Sequence, residues 1–362
     1  MILLDPRLAS AIIGGQINYD FYLFSPERLF SEFLFSYCPI EPVMTVSAPE
    51  FIHETVLLKE TVASVLNVTV AALETETIKK TGTFVDATFG RGGHSRLLLT
   101  YLDEDGRLLV FDKDPQAIQT AQALAASDAR VIVIHDSFAK LQDNLQRLGI
   151  EQVDGIMADL GVSSPQLDDG SRGFSFMRDG AVDMRMDTTR GESVAQWLKR
   201  VDETVLADVL YNYGEERHSR RIARAIKQME HYDSTLALAE TIKQAHPNWQ
   251  KGKHPATQSF QAMRIFINNE LGDIDSFLDQ SLMALNVGGR LAVISFHSLE
   301  DRIIKQFLQK HSKGQYPEDA NLPMPPKRPK LLSKPERVAP LDTEIKNNPR
   351  ARSAWLRSAT RL

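Results

Sequence analysis

The chain has 362 residues, 43% of them hydrophobic and 25% charged, which excludes a wholly disordered protein and leaves room for about two domains at ~150 residues each. A single cysteine, Cys38, excludes a disulfide framework and a cysteine-based zinc site, and no run of 18 apolar residues is present to span a membrane. The net charge of −5 excludes an overall basic field, and with no basic start or clean apolar run before Gly15 to mark a signal peptide, a cytoplasmic protein is expected.

Residues 1–50 show little periodicity. Phe21, Phe24, Phe30, Phe33 and Phe35 crowd them, and Pro39, Pro42 and Pro49 punctuate their end. They read as a dispensable, disordered extension: either an appended docking segment or upstream translation, with Met44 as the natural start. From His53 to Leu66 the pattern is that of an amphipathic helix. Strand-type runs follow at Thr83–Ala87, Leu108–Asp112, Val131–His135 and Ile156–Leu160. Helical stretches at Ser95–Tyr101, Pro115–Ala125 and Phe138–Leu148 separate them. Such alternation predicts a parallel, doubly wound α/β sheet.

The fifth strand, Arg290–Phe296, comes about 130 residues later, whereas a crossover needs only a dozen or so. The interval carries helical signals at Val194–Val201, Glu203–Tyr213, Arg217–His231, Thr235–His246 and Ala256–Leu285. The predicted organisation is therefore a sheet domain over 51–166 and 259–362, interrupted by an all-helical subdomain over 167–258. Pro317–Pro335 reads as a loop and Ser353–Thr360 as a last, antiparallel edge strand. From Arg302 onward there are 14 Lys/Arg against 5 Asp/Glu, so an acidic body carries a basic tail. Either the tail meets an acidic partner such as nucleic acid, or it is a solvated face.

The strongest local signal is Asp86-Ala-Thr-Phe-Gly90-Arg-Gly92-Gly93-His94-Ser95, between a strand and a helix. Glycines there permit a tight turn and close backbone approach to a ligand. Asp112 ends the next strand 20 residues after Gly92, where a carboxylate accepts both hydroxyls of a ribose. A plain structural turn with a strand-terminal acid is the alternative. The loop lacks the lysine of a phosphate-binding P-loop, and its glycine spacing departs from G-x-G-x-x-G. Asp86 favours a cofactor bearing an ammonium group, so S-adenosylmethionine (SAM) fits better than a nicotinamide dinucleotide.

Past the fourth strand, Asp159-Leu-Gly-Val-Ser-Ser-Pro165-Gln166 sits where reacting groups lie in open α/β sheets. Asp159, or carbonyls near Gly161 and Val162, are candidates to accept the hydrogens of an exocyclic amine. The loop containing Arg172, Phe174, Phe176 and Arg178 has the arginine and aromatic content that grips splayed RNA bases, or else forms a mini-core. Arg217, Arg220, Arg221, Arg224 and Lys227 recur at helical spacing on one face, as a phosphate-tracking stripe would. The histidines form no metal motif. Ser295, His297 and Glu300 lack the G-x-S-x-G elbow of a hydrolase.

Several motifs together resemble the bacterial ribosomal RNA small subunit methyltransferase H (MraW) family. They are His53-Glu-Thr-Val-Leu-Leu, Gly90-Arg-Gly-Gly-His-Ser, Asp159-Leu-Gly-Val-Ser-Ser-Pro-Gln-Leu-Asp and Arg172-Gly-Phe-Ser-Phe-Met, then Gly214-Glu-Glu-Arg, His254-Pro-Ala-Thr, Ser295-Phe-His-Ser-Leu-Glu-Asp-Arg and Asn348-Pro-Arg-Ala-Arg-Ser. The resemblance runs in order from about His53 to Arg357. It implies a Rossmann-like SAM-dependent enzyme with an inserted helical substrate-recognition domain. The implied reaction is methylation of the exocyclic N4 of one cytidine in the decoding centre of small-subunit rRNA, within the small ribosomal subunit. It also implies cofactor contacts from Gly92, Gly93, His94, Asp112, Phe138, Asp159 and Gln166; Asp159 is the candidate catalytic group from its strand-end position alone. The chain lacks the [Asp/Asn/Ser]-Pro-Pro-[aromatic] motif of many amino-methyltransferases. A non-catalytic ribosome-assembly factor and a nicotinamide-dependent oxidoreductase are the competing functions.

Overall fold

The structure is a computed structural model, and it describes residues 55–75, 77–247, 254–316, 323, 326 and 328–362. Residues 1–50, the beginning of the His53 helix and parts of the Pro317–Pro335 loop lie outside the described residues. Seven strands form one sheet: β1 Thr83–Asp86, β2 Arg107–Asp112, β3 Val131–His135, β4 Val153–Asp159, β5 Leu285–Ser295, β6 Glu336–Val338 and β7 Trp355–Thr360. Their order is β3-β2-β1-β4-β5-β7-β6. The first five are parallel, and β7 runs antiparallel to both neighbours. The fold is thus an α/β, Rossmann-like doubly wound sheet. Its order reverses between β1 and β4, and in such sheets ligands bind at the carboxyl ends of the strands flanking that point.

The early helices are α1 Leu58–Leu66, α2 Val70–Thr75, α3 Gly93–Thr100, α4 Pro115–Ser127, α5 Leu141–Arg147 and α6 Ser164–Asp168. After them come α7 Val194–Arg200, α8 Glu203–Gly214, α9 Ser219–Lys227, α10 Thr235–Ala245, α11 Ala256–Asn268, α12 Glu270–Ala284, α13 Ser298–Lys313 and α14 Asp342–Asn347. Apolar runs such as Leu108–Phe111 are buried on both faces of the sheet, which is why they read as continuous rather than alternating.

Three corrections follow. The run Ala256–Leu285 is two helices, because Asn269 adopts a left-handed conformation (φ 52°) that ends α11 before α12 begins. Side chains of α11 as far as Ile267 share a core with α7–α10, so the helical layer extends beyond Gln258. Finally, β7 is not an edge strand. The short, exposed β6 covers it, and three exposed residues carry no periodicity to reveal them.

Trp197 is almost wholly buried in the helical core, which is distinct from the two apolar clusters flanking the sheet. Trp197→Ala is expected to cost about 3–5 kcal/mol in urea unfolding. Cofactor affinity by calorimetry should change less than threefold. A variant as stable as the wild type would show that this core contributes little.

Candidate active site

A cleft opens at the carboxyl ends of β1, β2 and β4, lined among others by Thr88, Gly90, Gly93, His94, Asp112, Phe138, Asp159 and Gln166. After β1 the chain turns through Gly90 (φ 54°) and Gly92 (φ 78°), both left-handed, a conformation that side chains other than glycine adopt at a cost. A Cβ on Gly92 would lie 2.6 Å from the Phe89 ring, and one on Gly93 would run into Thr55 Oγ1. The loop therefore accepts no side chains at these positions. Gly92 itself supports the turn from behind the cleft wall. Asp112 orders the loop by accepting from the Gly90 amide (2.8 Å) and, through its other oxygen, from the Asp114 amide (2.8 Å). Burial raises its carboxyl to about 6.

Asp86, which suggested an ammonium-bearing ligand, turns inward instead. It accepts from Ser95 Oγ (2.6 Å) and the Thr88 amide, and clamps the start of α3. Burial lifts it to about 6. Asp159 takes the place expected of Asp86. Its amide meets Thr88 Oγ1 at 2.6 Å, its side chain is 27% exposed, and its buried Oδ1 has no hydrogen-bond partner. Burial, and then the charges of Asp86 and Glu300, hold it well above the usual carboxylate range.

His94 is buried, with Nε2 3.2 Å from the Val56 carbonyl, and burial lowers it to about 4. The neutral ring must carry its hydrogen on Nε2, because a carbonyl can only accept. Its Nδ1 lone pair then faces Asp159 Oδ2 at 3.8 Å. Two acceptors held face to face call for a donor between them, and a ligand ammonium supplies several.

Gln166 lines the cleft, but its amide is engaged on both sides. Oε1 accepts from the Ser163 amide, and Nε2 donates to Asp114 Oδ2 at 2.8 Å. The same oxygen takes Arg172 Nη1 at 2.8 Å, while Arg172 Nη2 meets the Arg185 and Met186 carbonyls. This corrects the expectation that Arg172 and Phe174 grip RNA. Arg172 is locked in a buried ion pair, and Phe174 belongs to the helical core with its ring 5.7 Å from the Arg172 guanidinium. The exposed part of that loop is Met177–Asp179.

Phe138 opens the segment after β3 and stacks edge-on to Phe277 within the cleft wall. On α9, Arg220, Arg221 and Arg224 are exposed opposite buried Ile222, Ala223 and Ile226. Arg217 precedes the helix, Arg224 lies 3.4 Å from Glu203, and Lys227 caps the Leu198 carbonyl, so the stripe is shorter than its spacing suggested.

Other residues in the cleft were not identified as site residues from sequence. Phe296, Glu300, Asn348 and Arg350 all line it. The Ser295-Phe-His-Ser-Leu-Glu motif was the available signal, obscured by its hydrolase-like residue types. Among the described residues, Glu270, His297 and Glu300 have metal-ligand spacing. Arg264, however, already grips Glu270 through two 2.7 Å bonds, so a cation is in place.

The MraW methylase family matches residues 50–362. The chain belongs to that family. Ribosomal RNA small subunit methyltransferase H of Psychrobacter arcticus is 70% identical over 323 residues, 88% of this chain and 97% of the relative. The protein of the same name from Acinetobacter baumannii is 56% identical over 312 residues, 86% of this chain and 98% of the relative. Among solved structures, an rRNA methylase from Streptococcus thermophilus shares 11% identity across 80% of this chain and 92% of its own, with a TM-score of 0.37, too distant to inform the site. As a member of the MraW family the chain is a SAM-dependent methyltransferase. Its cleft fits that cofactor, offering Asp112 for a ribose and the paired acceptors His94 and Asp159 for an ammonium.

An ionised Asp112 is the better acceptor, so binding donors to it lowers its pKa in the complex. The share of SAM affinity that Asp112 supplies should therefore be full above about pH 6 and fall as pH drops through that value, by at most about tenfold per unit for each proton taken up. Asp112→Asn should weaken binding at pH 7.5 and flatten this dependence. Calorimetry between pH 5 and 8 tests it, and a pH-independent affinity in the wild type would remove Asp112 from the contact.

Proposed function

We propose that this methyltransferase modifies the exocyclic N4 of one cytidine in the decoding centre of 16S rRNA, acting on the small ribosomal subunit in the cytoplasm. The names of its relatives support the RNA class. The observation that carries the reading to an amine is Asp159, a half-buried carboxylate whose buried Oδ1 has no partner, at the end of the central strand β4 beside the glycine loop. No helix among the described residues is long and apolar enough to cross a membrane, which accords with a ribosomal substrate.

Bound SAM supplies an electrophilic methyl group on a sulfonium. Gly93, His94, Asp112 and Asp159 would hold it, with Phe138 beside the adenine. Cytosine N4 is a poor nucleophile because its lone pair is delocalised into the ring. Asp159, or the Gly161 and Val162 carbonyls, accept its N–H groups and draw the lone pair out of conjugation. As the N–C bond forms, the amine loses a proton. Asp159 is suited to take it, since burial and neighbouring negative charge raise its proton affinity. Holding both partners in line can supply about 7–11 kcal/mol of the barrier reduction. Unstacking the base costs a few kcal/mol, which contacts in the cleft must offset.

Labelled SAM, small ribosomal subunits and nucleoside mapping test this reading. Label should appear as N4-methylcytidine at a single site, and Asp159→Asn should lower kcat about 100-fold or more at saturating SAM. Label on a ring carbon, or none, would reject it.

Phosphate contact is proposed for the exposed arginines of α9. Replacing Arg220 and Arg221 with Glu should weaken subunit binding and flatten its salt dependence by about 0.7 in slope per lost single-strand contact. An unchanged slope and midpoint in a salt titration would leave the stripe as a solvated face.

A further inference from the structure

We propose that the ring of Phe296 is the stacking platform for the target cytosine, with the Leu160–Val162 backbone bordering the amine edge of the stacked base. The inference deepens the cytosine-methylation reading and rests on it.

Position in the sheet comes first. Asp159 pairs with Ile294, so Phe296 stands two residues beyond that partner, just past the end of β5. Residues expected at the ribose and adenine, Asp112 and Phe138, lie at the end of β2 and in the segment after β3, on the opposite side of the glycine loop. Phe296 is therefore on the side of the cleft left for the substrate. Among the aromatic rings lining the cleft, Phe89 is buried behind the glycine loop against Gly92 and Phe138 is packed on Phe277. Phe296 is the half-buried ring left at the β4–β5 edge.

A space faces it. Gly161 has φ 94° and no side chain, and a Cβ built there would lie 3.6 Å from Phe296 Cδ2, ordinary van der Waals distance. Among the described residues no donor meets the Gly161 or Val162 carbonyl. Stacking faces and free acceptors are what an unstacked base with an exocyclic amine requires.

The ring is also held in place. Glu300, fully buried, accepts from the Phe296 amide (2.8 Å) and the His297 amide (3.2 Å) through one oxygen, while His297 Nε2 lies 3.1 Å from the other. Arg264, itself bound to Glu270, adds positive charge nearby. A buried carboxylate kept for this turn makes Glu300 a positioning residue for Phe296.

The test compares Phe296→Leu, which keeps an apolar side chain without the ring, with Phe296→Tyr, which keeps the ring. Each is assayed by single-turnover methylation of small ribosomal subunits, by calorimetry with SAM alone and by thermal unfolding. Base–aromatic stacking of about 1–3 kcal/mol corresponds to a loss of about 5- to 150-fold in kcat/KM for the subunit in Phe296→Leu. Phe296→Tyr should stay within about threefold of the wild type, and both should bind SAM within about twofold. If Leu unfolds the protein, Phe296→Met supplies the same comparison. Retained kcat/KM in a ringless variant overturns the platform while leaving the methylation reading intact. SAM affinity falling in parallel with activity also overturns it, since the ring would then be a cofactor wall. A wild type that does not methylate cytidine in the subunit overturns both.

Discussion

The carboxylate of Asp114 is the constraint that keeps the two halves of the site in register. One oxygen caps α4 at the Gln116 amide; the other receives both Gln166 from α6 and Arg172 from the loop entering the helical layer. Arg172 carries the connection onward to the Arg185 and Met186 carbonyls, and Asn268 on α11 meets the same stretch at the Met186 amide and the Met184 carbonyl. Burying one charge of this pair without the other would be costly, about 3–5 kcal/mol by analogy with other buried pairs. The loop after β2, the segment beyond Asp159 and the base of the helical layer are thus fixed by a single acidic side chain.

Around this frame the cleft gathers negative charge. Asp86, Asp112 and Asp159 end three parallel strands, and Glu300 lies in the same wall. Burial opposes their ionisation, which is why three of them sit above the usual carboxylate range. Glu300 is the exception. Burial pushes it up, but His297 and Arg264 bring it below its ordinary value. A cationic cofactor with an ammonium and a ribose would relieve this concentration of acceptors. The acidity of the cleft and the chemistry of SAM are complementary in sign and in hydrogen-bonding role.

Much of this was legible before any coordinates. Val131–His135 was read at its observed bounds, and the other parallel strands within a few residues, because buried parallel strands leave short apolar runs closed by polar residues. The glycine loop was legible because few residue types satisfy its left-handed backbone positions at Gly90 and Gly92. What sequence did not convey was facing. Arg172 and Phe174 have the composition of a base-gripping loop, yet both point inward, and only the partner Asp114, 58 residues away, explains why. Asp114 also caps α4 by accepting from the Gln116 amide. The basic tail read either as a contact for an acidic partner or as a solvated tail, whereas Arg357 is bound to Asp301, Arg337 lies over Trp355 and Arg350 joins the cleft wall. Phe296 and Glu300 were visible as a motif, but their place beside Asp159 depends on a pairing across about 130 residues.

The most direct test of the Asp114 constraint is amide hydrogen exchange on Arg172→Met, which keeps the bulk of the side chain and removes its charge. If one buried pair registers both halves of the site, protection should fall together in 163–168 and in 184–187, with the amides of β1, β2 and β4 unchanged. Loss confined to one of those segments, or protection preserved in both, would contradict it.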